Sequence, residues 1–334
     1  MNCLDIAIYL CIIFWLALYI HITHDINGEM TLRSGVIQKI LQKMHVTLDT
    51  SVFIPTIRST KINQSDMSLS IPTSSISSDG VDKVDSVNVF IQRPLSTSNG
   101  QTSMNLILYI HGGGFVCGSA PWYGRYARLL ANATGYTIAT IDYALSPENK
   151  FPIALHQVLD VYRYYQSLGI YDKIGFFGDS AGGNIIASAC FILRSDIRTP
   201  PPSFQILLYP YLDMTRFNRD SHNRYKQSYL ITRRSLRLAR EYYLDKETDP
   251  CDPRVSPIMM SDMSNTCPTL IISAQHDVIL DEAIEFNTKL QLAHVQVQHK
   301  IYQGSLHGFF IDELPSLRDT VIKDVKLFLN LLIM

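Results

Sequence analysis

The chain is predicted to fold as an α/β protein, with a mostly parallel sheet carrying helices on both faces. Three observations predict this. Short, continuously apolar runs recur along the chain, and helix-length segments separate them. Such runs are expected of strands buried on both faces. The 334 residues also carry 46% hydrophobic against 18% charged side chains, enough apolar material for one large core. The formal charge of −1 offers no basic excess for a phosphate backbone, so no nucleic-acid partner is expected.

The first segment, Leu4 to Ile22, is almost wholly apolar, with Asp5 at its start and His21 near its end. As a helix it is just long enough to cross a hydrocarbon core, which predicts a single-pass membrane anchor within residues 1–24. A cleaved signal peptide fits less well, because no Lys or Arg precedes the run and no small-x-small site comes after it. Arg33 and Lys39 come after the segment, and the positive-inside tendency alone places the rest of the chain on the cytoplasmic side.

Val36 to Met44 reads as an amphipathic helix, with Val36, Ile37, Ile40, Leu41 and Met44 at helical spacing. Residues 25–66 are accordingly read as helical and linker segments that could cover a hydrophobic site, ahead of a large domain over 67–334. Arg58 to Asp85 is rich in Ser, Thr, Asn and Asp and reads as irregular, with a strand at Met67 to Ile71.

The buried-strand rhythm then sets in. Strands are predicted at Val87–Gln92, Asn105–Ile110, Tyr136–Asp142, Lys173–Phe177, Phe204–Tyr209, Thr269–Ala274 and Val297–Tyr302. Between Asp213 and Pro257 the rhythm fails: a basic helical segment, Thr232 to Leu244, gives way to Asp-Pro and Pro-rich turns. This stretch is read as a cap inserted over the carboxyl end of the sheet. Its basic residues between Arg216 and Arg240 read as a solvated helix face, since Leu236, Ala239 and Tyr243 already supply a packing stripe.

The cysteines at 3, 11, 117, 190, 251 and 267 show neither a CxxC pair nor zinc-site spacing, so no metal is expected. Cys251 with Cys267 is the one pairing considered for a disulfide.

The predicted strand from Lys173 runs into Gly178-Asp179-Ser180-Ala181-Gly182-Gly183, a strand, a sharp turn and a small-residue helix start. That is the setting of a nucleophile elbow, in which glycines two residues either side of a serine let the chain double back and leave its oxygen exposed above the sheet. Asn105 to Ile110 runs into His111-Gly112-Gly113-Gly114-Phe115. Consecutive glycines let main-chain N–H groups approach a developing oxyanion. Gly112 and Gly113 are therefore the expected donors, with Ala181 at the next helix N-terminus as the third. His111 reads as a structural hydrogen-bonding residue.

Two late strands end in candidates for the base and its partner. Thr269 to Ala274 leads to Gln275-His276-Asp277, and Val297 to Tyr302 leads to Gly304-Ser305-Leu306-His307-Gly308. Both lie just past the carboxyl ends of their strands, where open α/β sheets place ligands. His307 is assigned the role of base, and Asp277, the first acid after its strand, that of orienting it. Asp281, Glu282, Asp312 and Glu313 are the competing acids, and His156, His276, His294 and His299 the competing histidines.

Taken together, His111-Gly-Gly-Gly-Phe-Val, Asp142-Tyr-Ala-Leu-Ser-Pro-Glu, Gly178-Asp-Ser-Ala-Gly-Gly, Asp277-Val-Ile-Leu-Asp-Glu and His307-Gly-Phe resemble the hormone-sensitive-lipase-like family of α/β-hydrolases. That group includes bacterial carboxylesterases and arylacetamide deacetylase. The resemblance runs from about Val87 to the C-terminus and implies an eight-stranded sheet, a cap built from N-terminal helices within 25–66 and the Asp213–Pro257 insertion, and a serine esterase acting on small-molecule esters. It places the nucleophile on Ser180, the acid on Asp277, the base on His307 and the oxyanion donors on Gly112, Gly113 and Ala181. No cofactor is implied. Ala144 stands where the family usually has Arg, and Val278 where Pro is common, so looser local packing is expected at Ala144. The N-terminal segment resembles the anchor of arylacetamide deacetylase, whose catalytic domain faces the lumen, against the cytoplasmic placement above.

Two other readings fit the same residues. A membrane-associated lipase or amide deacetylase would share the triad and differ in its cap. A non-catalytic small-molecule receptor could use the same scaffold, but it predicts a damaged triad, and here all three members and the glycine loop are intact. Trp122 and Tyr123, just after the glycine loop, are read either as pocket walls or as ordinary packing. Asn63-Gln-Ser and Asn132-Ala-Thr match glycosylation acceptors.

Overall fold

A computed structural model of the chain describes residues 67–73, 86–95, 104–225, 230–311 and 315–332. Eight strands, β1 (Met67–Pro72), β2 (Ser86–Gln92), β3 (Asn105–Ile110), β4 (Thr137–Asp142), β5 (Lys173–Asp179), β6 (Gln205–Leu208), β7 (Thr269–His276) and β8 (Val297–Leu306), form one sheet. Their order is β1-β2-β4-β3-β5-β6-β7-β8. β1 and β2 pair antiparallel, as do β2 and β4, and every later pairing is parallel. The α/β expectation therefore holds, with an antiparallel edge.

The central strands are apolar on both faces because both faces are covered. On β3, Leu106, Leu108 and Ile110 join one core, while Ile107 and Tyr109 join the other. The alternation of a pleated strand sorts neighbouring residues between them. The first core is completed by helices α2 (Ile153–Ser167), α3 (Ala181–Leu193) and α6 (Leu280–Leu292), and the second by α1 (Ala120–Thr134) and α7 (Pro315–Leu331).

Helix ends obey local chemistry. The Ser119 hydroxyl caps α1 by accepting from the Trp122 amide at 3.4 Å, and Gly135 closes it at φ 77°. Between β6 and β7 lie α4 (Asp220–Arg224) and α5 (Arg233–Tyr243). Thr232 and Ser235 cap α5 reciprocally: each side chain takes the other's amide, at 3.1 and 2.7 Å.

The structure corrects several expectations. β8 runs on to Leu306, past Tyr302, with a register irregularity between Ala274 and His276. Cys251 is exposed and Cys267 is buried, both free; the Cys267 sulfur lies 3.9 Å from that of Cys190. At Ala144, the main-chain amide donates to the buried Gln157 side chain at 2.7 Å. The membrane-anchored placement is withdrawn. Among the described residues no helix is long and apolar enough to cross a membrane. The proposed anchor at Leu4–Ile22, the Val36–Met44 helix and Asn63 lie outside the described residues.

Candidate active site

The strand β5 delivers Ser180 at its end with φ 52° and ψ −115°, a conformation few non-glycine residues adopt. It persists because the neighbouring chain leaves no alternative. A Cβ at Gly182 would lie 2.0 Å from the Ile110 carbonyl oxygen, and one at Gly178 would lie 2.5 Å from the same atom. Glycine at both positions lets α3 and β5 close against β3. Ser180 sits at the N-cap of α3, yet its side chain makes no cap bond. Its hydroxyl is instead 2.9 Å from His307 Nε2.

His307 comes directly after β8, and its Nδ1 lies 2.7 Å from Asp277 Oδ2, at the end of β7. A carboxylate accepts, so Nδ1 carries the proton and Nε2 is left to accept from the serine hydroxyl. Asp277 is 1% exposed and His307 6% exposed, so the bond between them is shielded from water, while Ser180 stays partly exposed. The Tyr209 ring packs 4.7 Å from the His307 ring. The three residues expected to meet therefore form one hydrogen-bonded series.

Three of the competing groups, His299, Asp281 and Glu282, are engaged elsewhere. His299 pairs with Ser273 at 2.9 Å, and burial lowers its pKa to about 4. Asp281 accepts from the Ser221 amide at 2.8 Å, and Glu282 accepts from the amides of Leu212 and Asp213. Asp312 and Glu313 lie outside the described residues.

The glycine loop departs from expectation at one amide. Gly112 N–H donates to Asp179 Oδ1 at 3.0 Å, so it is committed and cannot also serve an oxyanion. The physical reason is Asp179 itself: it is 1% exposed, and a buried carboxylate must collect donors. Tyr123 donates to its other oxygen at 3.2 Å, and Tyr109 lies at 3.4 Å. Burial pushes the Asp179 carboxyl up to about 7, against the opposing pull of the Gly112 amide, the Tyr123 hydroxyl, His307 and the Tyr109 hydroxyl. Tyr123 is thus a buried donor and no pocket wall.

Among the described residues, the amides of Gly113, Gly114 and Ala181 have no main-chain or side-chain acceptor. Gly114 is, among the described residues, an unpaired amide that the motif reading misses; the third glycine of an unbroken run is its signal. Gly113 adopts φ 114°, and a Cβ there would lie 2.1 Å from the Cys117 carbonyl oxygen.

Behind the loop, His111 Nδ1 donates to the Gly112 carbonyl at 2.8 Å, and the His111 carbonyl accepts from Tyr143 at 2.9 Å. The His111 ring stacks between those of Tyr143 and Tyr123, at 4.3 and 5.2 Å. Burial lowers its pKa, which keeps it neutral, in keeping with a structural role.

The insertion between β6 and β7 touches this site from two sides. Ala239 of α5 comes within 3.7 Å of where a Cβ on Gly114 would lie, and Leu230 crowds Gly308, next to His307.

With this geometry in view, residues 107–311 match the family described as alpha/beta hydrolase fold. The chain belongs to that family. This α/β-hydrolase falls in its hormone-sensitive-lipase-like group. It is 32% identical over 209 residues to an esterase of Acinetobacter venetianus, covering 62% of this chain and 68% of that one. It is 31% identical over 208 residues to an ethyl acetate hydrolase of Pseudomonas putida, covering 61% of this chain and 65% of that one. The chain thus spans about two thirds of the length of these relatives. Among solved structures, a hyperthermophilic esterase from Pyrobaculum calidifontis superposes with a TM-score of 0.70 at 26% identity, over 87% of this chain and 97% of that one.

Proposed function

We propose that this protein is a carboxylic ester hydrolase that works through an acyl-enzyme on Ser180. The observation carrying the proposal is the hydrogen-bonded series from the Ser180 hydroxyl through the His307 ring to the Asp277 carboxylate, together with three amides that have no acceptor among the described residues. His307 takes the serine proton as Ser180 attacks the ester carbonyl, and the imidazolium so formed is stabilised by Asp277. The amides of Gly113, Gly114 and Ala181 hold the negative oxygen of the tetrahedral intermediate. They act in a site that needs no reorganisation at the moment of reaction. The alkoxide leaves with the proton from His307, and water activated by the same ring then releases the acid.

The insertion at 213–257 is read as the cap, because Ala239 and Leu230 lie against the glycine loop and Gly308. The substrates are small esters with short to medium hydrophobic acyl groups. Relatives named as an ethyl acetate hydrolase and an acetyl esterase support the short end of that range.

Replacing Ser180 by Ala is expected to lower kcat on p-nitrophenyl butyrate by roughly 10⁴ to 10⁶, and to abolish labelling by a fluorophosphonate probe. A variant that keeps most of its turnover ends the proposal. A p-nitrophenyl series of rising chain length, with an amide substrate beside it, sets the acyl preference and separates esterase from deacetylase.

A further inference from the structure

We infer that Ser221, through its hydroxyl on the Val278 carbonyl, is a positioning residue that ties the orientation of Asp277 to the docking of the 213–257 insertion. The inference rests on the role proposed above for Asp277. The turn from Asp277 into α6 is tight: the Asp277 carbonyl accepts from the Leu280 amide at 3.3 Å, and its Oδ1 accepts from Ile279 at 3.1 Å. Oδ2 is thereby left to face His307. The orientation of the carboxylate is thus fixed by the path of the main chain through Val278 and Ile279, both 1% exposed or less.

That path is gripped from outside by α4. Ser221 Oγ donates to the Val278 carbonyl at 2.7 Å, the Ser221 amide donates to Asp281 Oδ2 at 2.8 Å, and the Asp281 amide reaches Ser221 Oγ at 3.4 Å. One serine, 2% exposed, thus meets the acid-bearing turn at a carbonyl one residue beyond Asp277 and at a residue in the first turn of α6.

Neighbouring groups keep α4 from turning away. Arg219 reaches Asp213 at 2.6 Å and Glu285 at 2.7 Å. Glu282 takes the Asp213 amide at 2.7 Å with one oxygen and faces His222 Nε2 at 3.5 Å with the other. The brace therefore joins the insertion to the very turn that aims the carboxylate. A buried carbonyl deprived of its donor relaxes toward another partner, and the backbone of this turn is what would have to move.

The test is steady-state kinetics on the full chain with p-nitrophenyl butyrate. Ser221→Ala is expected to lower kcat roughly ten- to hundredfold with KM little changed, since a misplaced group penalises the chemical step more than binding. Ser221→Thr, which keeps the hydroxyl, is expected to restore kcat to within a few-fold. Asp281→Ala removes the second arm of the brace at a half-buried side chain and is expected to give a smaller fall in kcat. It also serves where Ser221→Ala does not fold, as judged by circular dichroism. A folded Ser221→Ala, or failing that a folded Asp281→Ala, with wild-type kcat overturns the inference, as does a change confined to KM or a Thr variant no better than the Ala. These outcomes are read against a wild-type chain that turns over ester. A wild-type chain inert to both ester and fluorophosphonate overturns the underlying functional reading along with the inference.

Discussion

The two halves of the candidate site are held by different physics. On the nucleophile side, Ser180 and the glycine loop are fixed by main-chain packing: Gly182 against the Ile110 carbonyl, and Gly113 against the Cys117 carbonyl. On the acid side, Asp277 and the first turn of α6 are fixed by side chains, chiefly Ser221, Arg219 and Glu282. The first half tolerates almost no added atoms, whereas the second tolerates change of shape and is sensitive to loss of a donor or a charge. Damage to the first half should therefore cost the fold, and damage to the second should cost chemistry first.

The largest expected effect sharpens that contrast. Asp277→Asn keeps the shape of a side chain that makes 2.7 and 3.1 Å hydrogen bonds, but its amide favours the wrong imidazole tautomer. kcat is expected to fall about 10⁴-fold with little change in the thermal midpoint. An Asn variant within tenfold of wild type would remove Asp277 from the mechanism. Next comes Gly182→Ala. A methyl group 2.0 Å from a main-chain oxygen cannot be accommodated without moving β3 or α3. A destabilisation of at least about 4 kcal/mol is expected, read as loss of soluble folded protein or a collapsed urea midpoint. A stable, active alanine variant would show that the main-chain half is less rigid than these contacts require.

Asp179 lies between the halves and gives a pH test. Its carboxyl is raised from 3.8 to about 7, so the folded state holds a proton that the unfolded state releases. The sign comes from linkage: this stabilisation is complete below pH about 4 and is lost as pH rises toward 7. Its span is on the order of 4 kcal/mol. Urea unfolding of wild type should show stability falling across that window, and Asp179→Asn should flatten the slope. Identical slopes in the two proteins would place Asp179 outside the pH response.

The smallest effects compare two arginines on the same carboxylates. Arg219 is 7% exposed and its side chain reaches Asp213 and Glu285, while Arg216 reaches the same two at 53% exposure. Arg219→Ala is expected to cost about 2–3 kcal/mol, because it strands the buried Asp213. Arg216→Ala is expected to cost under about 1 kcal/mol. Equal losses in chemical denaturation would contradict the burial argument.

Much of this architecture is legible in the residues alone. Strands such as β3, β5 and β7 announce themselves because both faces are buried, so their residues are apolar without alternation. Ser180 and Asp277 are legible because each comes just after such a strand, and His307 because it comes shortly after the partly apolar start of β8. The end of β8 is not, since Gln303, Gly304 and Ser305 belong to an edge strand that need not be apolar. The Gly112–Asp179 bond is hidden because it depends on β3 and β5 being neighbours, which no local pattern states. Ser221 is hidden for the same reason: its partner Val278 is 57 residues away in sequence. Sequence patterns carry the apolar period and the turn chemistry, and polar contacts across the fold lie beyond their range.

The hydrogen bond between Ser180 and His307 joins residues 127 positions apart. During synthesis Ser180 and the glycine loop are therefore made well before His307, and a nascent chain that ends short of His307 has a serine with no imidazole beside it. On the triad proposed above, reactivity is expected only once β8 has paired with β7 and delivered His307. Ribosome-bound chains stalled before His307 should ignore a fluorophosphonate that labels the released protein, and labelling of the stalled chains would show that the serine is armed early.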